Sequence, residues 1–465
     1  MKKTIKQEEI VNFLKKYGFI FPCSEIYNGL ANAWDYGPLG VLLKNNLKAL
    51  WWKYFITSKT NMVGLDSSIF LNSDVWKASG HIHAFSDPLI DCKYCKKRFR
   101  ADKIINAQIK DVEINENTPL EILQQIFKKN HIKCPHCFHE DWTEIRKFNL
   151  MFQTNQSVTN DKENILYLRP ETAQGIFINF NNIQRSTSLK LPFGVGQIGK
   201  AFRNEITPGN FIFRTREFEQ MEIEFFCFPQ QAEEIFDFFY NEINVFLLKK
   251  LKFNKKNIKI YEHPKNDLSH YAKKTIDFQY NFPHGWSELW GLSNRTDYDL
   301  LNHQKNSGKN LSYLDPKNGK KIIPYVIEPS VGVERLLYAI LCESLTYQKI
   351  NDNNYREVLC LDYELCPYKV AVLPLSLTLI NEAKEIYHQI LNINISATFA
   401  SSGSIGKRYR KQDAIGTYYC LTIDFETKSD QCVTIRHRDT MQQKRIKISE
   451  INNFLLKKAI NEQSN

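Results

Sequence analysis

A chain of 465 residues, 43% hydrophobic and 24% charged, is too long for one compact core and has the composition of a soluble globular protein rather than a disordered or membrane-spanning one. The opening MKKTIKQEEI lacks the apolar stretch of a secretion signal and no apolar run approaches the ~18 residues of a spanning helix, so a cytoplasmic location is expected. The net charge of +11 is compatible with a polyanionic partner, and the last hundred residues hold 14 Lys+Arg against 9 Asp+Glu, a bias that RNA binding and a solvated surface explain equally.

Residues 1–18 read as a helix ending at Gly18, with Ile10, Phe13, Leu14 and Tyr17 on one stripe. WDYGPLG, 34–40, is a break, and VLLKNNLKALWWKYF after it is a second amphipathic helix. In GHIH, His81 and His83 suit packing or hydrogen bonding better than metal binding. Cys92 and Cys95 in DCKYC and Cys134 and Cys137 in KCPHCFHE are two C-x-x-C knuckles whose spacing lets four thiolates reach one tetrahedral ion. A structural zinc site and a knuckle pair that folds without metal are both consistent with them. The polar stretch 103–133 between the knuckles reads as an insertion.

GVGQIGK, 194–200, matches G-x-G-x-x-G and nearly matches a phosphate loop, yet both readings fail. No helix follows the glycines to face a pyrophosphate, and Ala201 stands where a phosphate loop needs Ser or Thr beside Lys200. Instead TPGN, 207–210, predicts a type II turn with Gly209 at positive φ, joining strands 199–206 and 211–228. At a period of two, Arg214, Arg216, Phe218, Gln220 and Glu222 share one face of the second strand, and Arg203 and Glu205 one face of the first. Guanidinium groups suit phosphate, an aromatic ring suits a nucleobase and a carboxylate suits an ammonium group. The face describes a site for a nucleotide beside an amino compound; a sheet with cross-strand ion pairs is the other reading.

Helical patterns return at 230–250 and at 332–347 after EPSVG. At CPYKVAVLPL, 366–375, a buried strand opens a C-terminal α/β module, with TFASSG and YYCLTIDF as further strands and helix-period residues near 377–391.

FRNE with REFEQMEIE resembles motif 2 of the class II aminoacyl-tRNA synthetases, and EPSVGVERLLYAIL, 328–341, resembles motif 3. WDYGPLG, GHIHAFSDP, YLRPETAQGIF, LSHYAKKTIDF, GWSELWGLSNRTDYDL and GSIGKRYRKQDAIGT extend the resemblance from about 18 to 445, and the specific likeness is to the dimeric glycyl-tRNA synthetases. The resemblance implies an α+β fold: a class II antiparallel catalytic sheet flanked by helices over 1–365, a knuckle insertion at about 90–147, a further insertion at about 230–275, and an anticodon-binding domain over 366–465. It implies ATP with Mg²⁺, glycine and tRNA(Gly) as substrates, a homodimer with WDYGPLG at its interface, and no membrane partner.

By the same resemblance Arg203 holds the α-phosphate and the glycine carboxylate, Phe218 stacks on adenine, Arg335 covers the other adenine face, and Arg214 binds the outer phosphates. Glu205 joins Arg203 and Arg335 as a catalytic position. Asn204, Phe213, Thr215, Arg216, Glu217, Glu288, Leu289, Gly332, Val333 and Glu334 match further ATP-binding positions, with Glu288 a magnesium ligand. Glu171, Glu222 and Glu328 match the carboxylates around the glycine ammonium; Ser330, Arg295, Arg100, Glu219, Gln220, Met221, Pro329 and Val331 complete the pocket. Glycine has no side chain to grip, so selectivity must come from its ammonium and from the absence of room for a methyl group.

The cluster Lys407, Arg408, Arg410 and Lys411 suits RNA phosphates or a solvated turn. A chain ending near residue 365 is expected to keep adenylate formation and lose tRNA charging. The chain departs from the family pattern at Gly209, where many relatives carry arginine. Two other readings are a sister enzyme charging threonine, proline or histidine, and a non-catalytic paralogue. The Glu171, Glu222, Glu328 set speaks against the first, and Arg203, Arg214 and Arg335 against the second.

Overall fold

The computed structural model describes residues 5–109, 114, 118–156, 165–265, 268–269, 271–351 and 354–464, with the backbone alone for 461–464. Residues 1–4 of the first expected helix, seven residues of the stretch 103–133 and His270 of the LSHYAKK block lie outside the described residues.

The first helix, α1 Gln7–Tyr17, buries Ile10, Phe13 and Leu14, and Gly18 stops it in the left-handed conformation at φ 76°, which glycine adopts without strain. The WDYGPLG break is partly a strand, Trp34–Tyr36, after which Gly37 caps and Pro38 opens α2 Pro38–Trp52; proline is tolerated there because its missing N–H has no partner in a first turn.

Seven strands form the central sheet: β1 Met62–Gly64, β2 Phe193–Phe202, β3 Glu217–Cys227, β4 Ile258–Glu262, β5 Lys274–Phe282, β6 Gly285–Thr296 and β7 Tyr325–Gly332. Their order is β4-β5-β6-β7-β3-β2-β1, antiparallel except for the parallel β2–β1 pair. On β3 the odd residues Met221, Ile223 and Phe225 enter the main core. The elements packed into it include α1, α2, α4 Ala232–Val245 and α5 Val333–Ser344, so these helices lie on one face of an antiparallel sheet, an α+β arrangement. The other face carries polar groups and is covered in part by α3 Ala173–Ile178, whose Ala173, Ile176 and Phe177 pack with Val195, Phe226 and Val326. Within the segment 230–275, expected as an insertion, α4 supplies Phe236, Phe239 and Ile243 to the main core, so that helix is an integral layer of the body.

The knuckle segment has its own small core. Strands Ser86–Asp91, Arg98–Arg100 and Arg146–Asn149 form a sheet, and Ile90, Ile105, Leu123 and Phe127 pack together behind it.

Toward the C-terminus a second, five-stranded sheet begins at Val370–Pro374 and has a separate core. It meets the body through a hairpin, Leu345–Asn351 with Asn354–Leu359. From that hairpin buried Arg356 donates to Asp413 Oδ2 at 2.8 Å, and Arg436 grips the same carboxylate at 2.7 and 2.9 Å. Ala414 and Ile415 pack with Leu361 and Leu365 in the main core. No helix of the described residues is long and apolar enough to cross a membrane.

Candidate active site

The glycines of GVGQIGK serve packing. A Cβ on Gly194 would fall 2.4 Å from Met62 Sδ, on Gly196 2.2 Å from Ile56 Cδ1, and on Gly199 2.3 Å from an Arg169 guanidinium nitrogen, so β2 must be bare where neighbours cross it.

The loop joining β2 to β3 corrects the expected hairpin. Pairing runs only to Phe202 and Glu217, so Arg203, Glu205, Arg214 and Arg216 lie in the loop, not on strand faces. Gly209 is not the left-handed residue; Asn210 and Phe211 are, at φ 57° and 60°. Gly209 and Arg214 exchange backbone hydrogen bonds at 3.0 and 3.2 Å, closing a smaller turn inside the loop. A left-handed phenylalanine is strained, and its burial against Trp34 and Tyr338 offsets that cost.

Past the loop, alternation on β3 puts Phe218, Gln220, Glu222 and Glu224 on the polar face. In register with Glu222 stand Gln197 on β2 and Ser330 on β7, and Gly291 on β6 faces Ser330. Glu222 accepts hydrogen bonds from the Thr172 amide at 3.0 Å, Ser330 Oγ at 2.7 Å and Gln220 Nε2 at 2.8 Å, and from the Thr172 hydroxyl. Arg295 is the cationic centre of the pocket, 1% exposed. Its Nη1 donates to both Glu328 oxygens at 3.1 and 3.0 Å, its Nε and Nη2 to Asp299 at 2.8 and 3.0 Å, and its Nη2 lies 3.7 Å from Glu171. The Tyr271 ring lies 3.9 Å from the guanidinium carbon. Glu171 also takes Gln174 Nε2 at 2.9 Å and faces His81 Nε2 at 3.4 Å.

These surroundings separate the carboxyls. Burial raises all three; for Glu171 the charge and hydrogen bond of His81, with Arg295, overcome it and hold the group below the ordinary range. Glu222 is raised by burial and by the charge of Glu171. Glu328 is raised to about 8, by burial that Arg295 only partly offsets. Sequence reasoning missed Asp299, Gln174, Thr172 and His81 here. His81 does hydrogen-bond, to Ser79 Oγ at 2.8 Å, but it also walls the acidic pocket.

Next to the pocket the charge reverses. Arg203 donates through Nε to the Pro170 carbonyl at 3.0 Å and lies 5.4 Å from both the Phe85 and Phe218 rings. At the start of α5, Arg335 lies 4.6 Å from the Phe213 ring and 2.8 Å from Glu288 Oε2. Its charge, ahead of the opposing effect of burial, holds Glu288 low. Arg214, partly exposed, lies 3.7 Å from Glu205. Asp277 on β5, a further missed residue, is lifted to about 6 by burial and the charge of Glu288, with His263 at 2.8 Å opposing. Guanidinium groups among aromatic rings beside an acidic, buried pocket can hold a nucleotide next to a small ammonium compound.

Residues 152–344 match the model of the tRNA synthetase class II core domain (G, H, P, S and T), and residues 369–458 that of the anticodon binding domain. The glycine–tRNA ligase of Malacoplasma penetrans is 62% identical over 97% of both chains. That of Ureaplasma urealyticum is 59% identical over 99% of this chain and 98% of its own. The chain belongs to the glycine–tRNA ligase family. A solved prolyl-tRNA synthetase from Cryptosporidium parvum, complexed with L-proline and AMP, superimposes with a TM-score of 0.64 at 12% identity, over all of this chain and 77% of that one, a likeness of fold.

Several positions carried over from the glycine–tRNA ligase family turn away from the polar face. Met221, Leu289, Val331 and Val333 are buried in the main core on the opposite side of the sheet, and Pro329 alternates away from Glu328 and Ser330. Glu219 pairs with Lys44 at 2.7 Å and Lys48 at 3.1 Å. Glu334 takes Lys44 at 2.6 Å and the Glu219 amide at 2.8 Å. Both anchor α2 to the sheet, and burying Lys44 requires such anions. Glu217 pairs with Lys200 at the surface. Thr215 donates to the Glu217 carbonyl, and the Asn204 and Arg203 amides donate to the Leu150 and Arg216 carbonyls, so these residues shape the loop. Gly332 caps α5 ahead of Arg335. Arg100 is tied to Asp87 at 2.8 Å and Asp102 at 2.7 Å.

The four knuckle cysteines converge: their sulfurs lie within 4.8 Å of one another, with Cys92–Cys137 at 3.5 Å and Cys95–Cys134 at 3.7 Å. Tetrahedral zinc at ~2.3 Å from each sulfur places sulfurs ~3.8 Å apart, so the set fits the ion. In the C-terminal module Lys407, Arg410 and Lys411 are exposed, whereas Arg408 is buried and donates to the Pro374 carbonyl at 2.7 Å and the Ala400 carbonyl at 3.0 Å. Arg408 is a strut rather than a phosphate contact.

Proposed function

We propose that this chain is a glycine–tRNA ligase: it joins glycine to ATP as glycyl-adenylate with release of pyrophosphate, then transfers the glycyl group to the 3′ end of tRNA(Gly). The observation that carries the reading is the buried set Glu171, Glu222 and Glu328 around Arg295, next to the Arg203 and Phe218 pair. Carboxylates in a closed pocket attract an ammonium group, and packed walls refuse a larger side chain. Arg203 holds the glycine carboxylate and the α-phosphate together as the carboxylate attacks phosphorus and pyrophosphate departs. Phe218 and Arg335 sandwich the base, and Arg214 binds the outer phosphates, with Glu205 beside its guanidinium to orient it. No side-chain nucleophile is needed; alignment and charge lower the barrier. In the second step a terminal ribose hydroxyl attacks the adenylate carbonyl and AMP leaves.

Glu288 and Asp277 would hold Mg²⁺, which screens phosphate charge. Cys92, Cys95, Cys134 and Cys137 would hold structural Zn²⁺. We divide the chain into a catalytic body, 1–365, and an anticodon-binding module, 366–465, that meets tRNA through Lys407, Arg410 and Lys411. Exposed Ile26, Tyr27 and Leu30, at 88%, 79% and 62%, precede WDYGPLG and support a homodimer contact there. The work belongs in the cytoplasm. Charging of total tRNA with labelled glycine, beside ATP–pyrophosphate exchange across a panel of amino acids, tests the reading; exchange driven by another amino acid and not by glycine would overturn it.

A further inference from the structure

The roles above leave one carboxyl unused. Glu224 follows Glu222 on the same face of β3, is 0% exposed, and neither of its oxygens has a hydrogen-bond partner among the described residues. Such orphaned groups are costly and call for an explanation. Val195 is its partner on β2. Because Glu222 faces Ser330 and Phe225 faces Ile327, Glu328 is its neighbour on β7. Side chains so paired have Cβ atoms ~5 Å apart. Val195, Phe226 and Phe177 of the apolar cluster adjoin the row.

Glu171, Glu222, Glu224, Glu328 and Asp299 thus crowd around Arg295 and His81, and not all of them can be ionised. Burial first, then the charge of Glu328, pushes Glu224 far above the ordinary carboxylate range; Arg295 opposes this, and Glu222 and Asp299 add to it. No donor among the described residues reaches either oxygen to hold the group as a carboxylate, so the site favours its protonated form, which has an O–H to give. Glu328, which among the described residues accepts hydrogen bonds only from Arg295 Nη1, keeps lone pairs to accept it.

We infer that Glu224 is a positioning residue of the ammonium pocket: it donates its carboxyl O–H to Glu328 when that carboxylate turns from Arg295 to meet the substrate ammonium. The inference rests on the glycine reading. Replacing Glu224 by Gln keeps a donor without a charge; replacing it by Leu removes the donor. In glycine-dependent ATP–pyrophosphate exchange with the full chain, E224Q should hold the KM for glycine within about threefold of wild type. E224L should raise that KM by about tenfold or more, with the KM for ATP within about twofold, a split that a general packing defect does not give. An unchanged glycine KM in E224L overturns the proposal, as does an E224Q impaired as badly as E224L, which would mean that charge and not the donor matters. Should E224L not fold, E224A carries the comparison. Loss of glycine-dependent exchange in the wild-type chain itself would overturn the underlying reading, and this proposal with it; the variant comparison fails separately, with the wild type active.

Discussion

Arg295 meets both oxygens of Glu328 through one guanidinium nitrogen, at 3.1 and 3.0 Å, and still leaves that carboxyl raised to about 8. Burial outweighs the Arg295 charge, and the charges of Glu222 and Glu171 add to the rise, while Arg295 also serves Asp299 through its other nitrogens. The folded chain therefore binds a proton at Glu328 that the unfolded chain, at an ordinary 4.5, has lost.

The sign of the resulting pH dependence follows. Ligand-free stability falls as pH rises from 4.5 toward about 8, by on the order of a few kcal/mol from this group. A bound ammonium favours the ionised carboxyl, so the gain in Tm with saturating glycine should be larger near pH 8 than near pH 6. In Glu328→Gln that pH dependence should flatten. Thermal melts with and without glycine measure it, and a Tm gain constant over this range in the wild-type chain would remove the proposed role of Glu328.

How far the site can be read from the sequence depends on which contacts are local. The parity of β3 is legible: Phe218, Gln220 and Glu222 face one way, Met221 the other, because alternation is fixed by the pleat. The start of that strand is not, because left-handed Asn210 and Phe211 replace Gly209 at the turn, and Phe211 is held there by a core assembled from distant segments. His81 reaches the pocket from a remote part of the chain and carries no spacing signal, whereas Gln174 and Asp299 stand only three and four residues after the Glu171 and Arg295 they bind. Arg408 sits in a basic run that suits RNA phosphates or a solvated turn, yet helical geometry turns it inward onto two carbonyls.

Arg203 should be the least replaceable residue of the nucleotide side. Its Nε is already fixed on the Pro170 carbonyl at 3.0 Å, which leaves the two terminal nitrogens as a preset fork for oxyanions. Arg203→Ala should lower glycine-dependent ATP–pyrophosphate exchange by about 10²-fold or more, and Arg203→Lys should restore little because lysine lacks the fork. Near-normal exchange in the alanine variant would sink the assignment.

The converged cysteines predict metal content. Purified protein should carry about one zinc per chain by elemental analysis. Cys134→Ser with Cys137→Ser should abolish it and loosen the segment around Ile90, Leu123 and Phe127, detectable as faster hydrogen exchange there. The central sheet has a separate core and should be protected as before. A metal-free preparation with full protection of the knuckle segment would favour the knuckle pair that folds unaided.

The junction with the C-terminal module changes what truncation can be expected to do. Asp413 is 1% exposed and takes Arg356 from the body and Arg436 from the module, while Ala414 and Ile415 pack into the main core beside Leu361 and Leu365. A chain ending near residue 365 strips that core of its cover and removes Asp413 and the Arg438 and Asp439 carbonyls to which Arg356 donates, so loss of stability, and not only of tRNA charging, is the expected result. The single change Asp413→Ala isolates the charge part. Breaking a buried network by removing one partner costs about 3–5 kcal/mol, so its unfolding midpoint in urea should fall clearly below that of the wild type. Glycine-dependent exchange below the transition should persist, because the acidic pocket is built from other elements. A variant as stable as wild type would mean that the module is held by its apolar contacts alone.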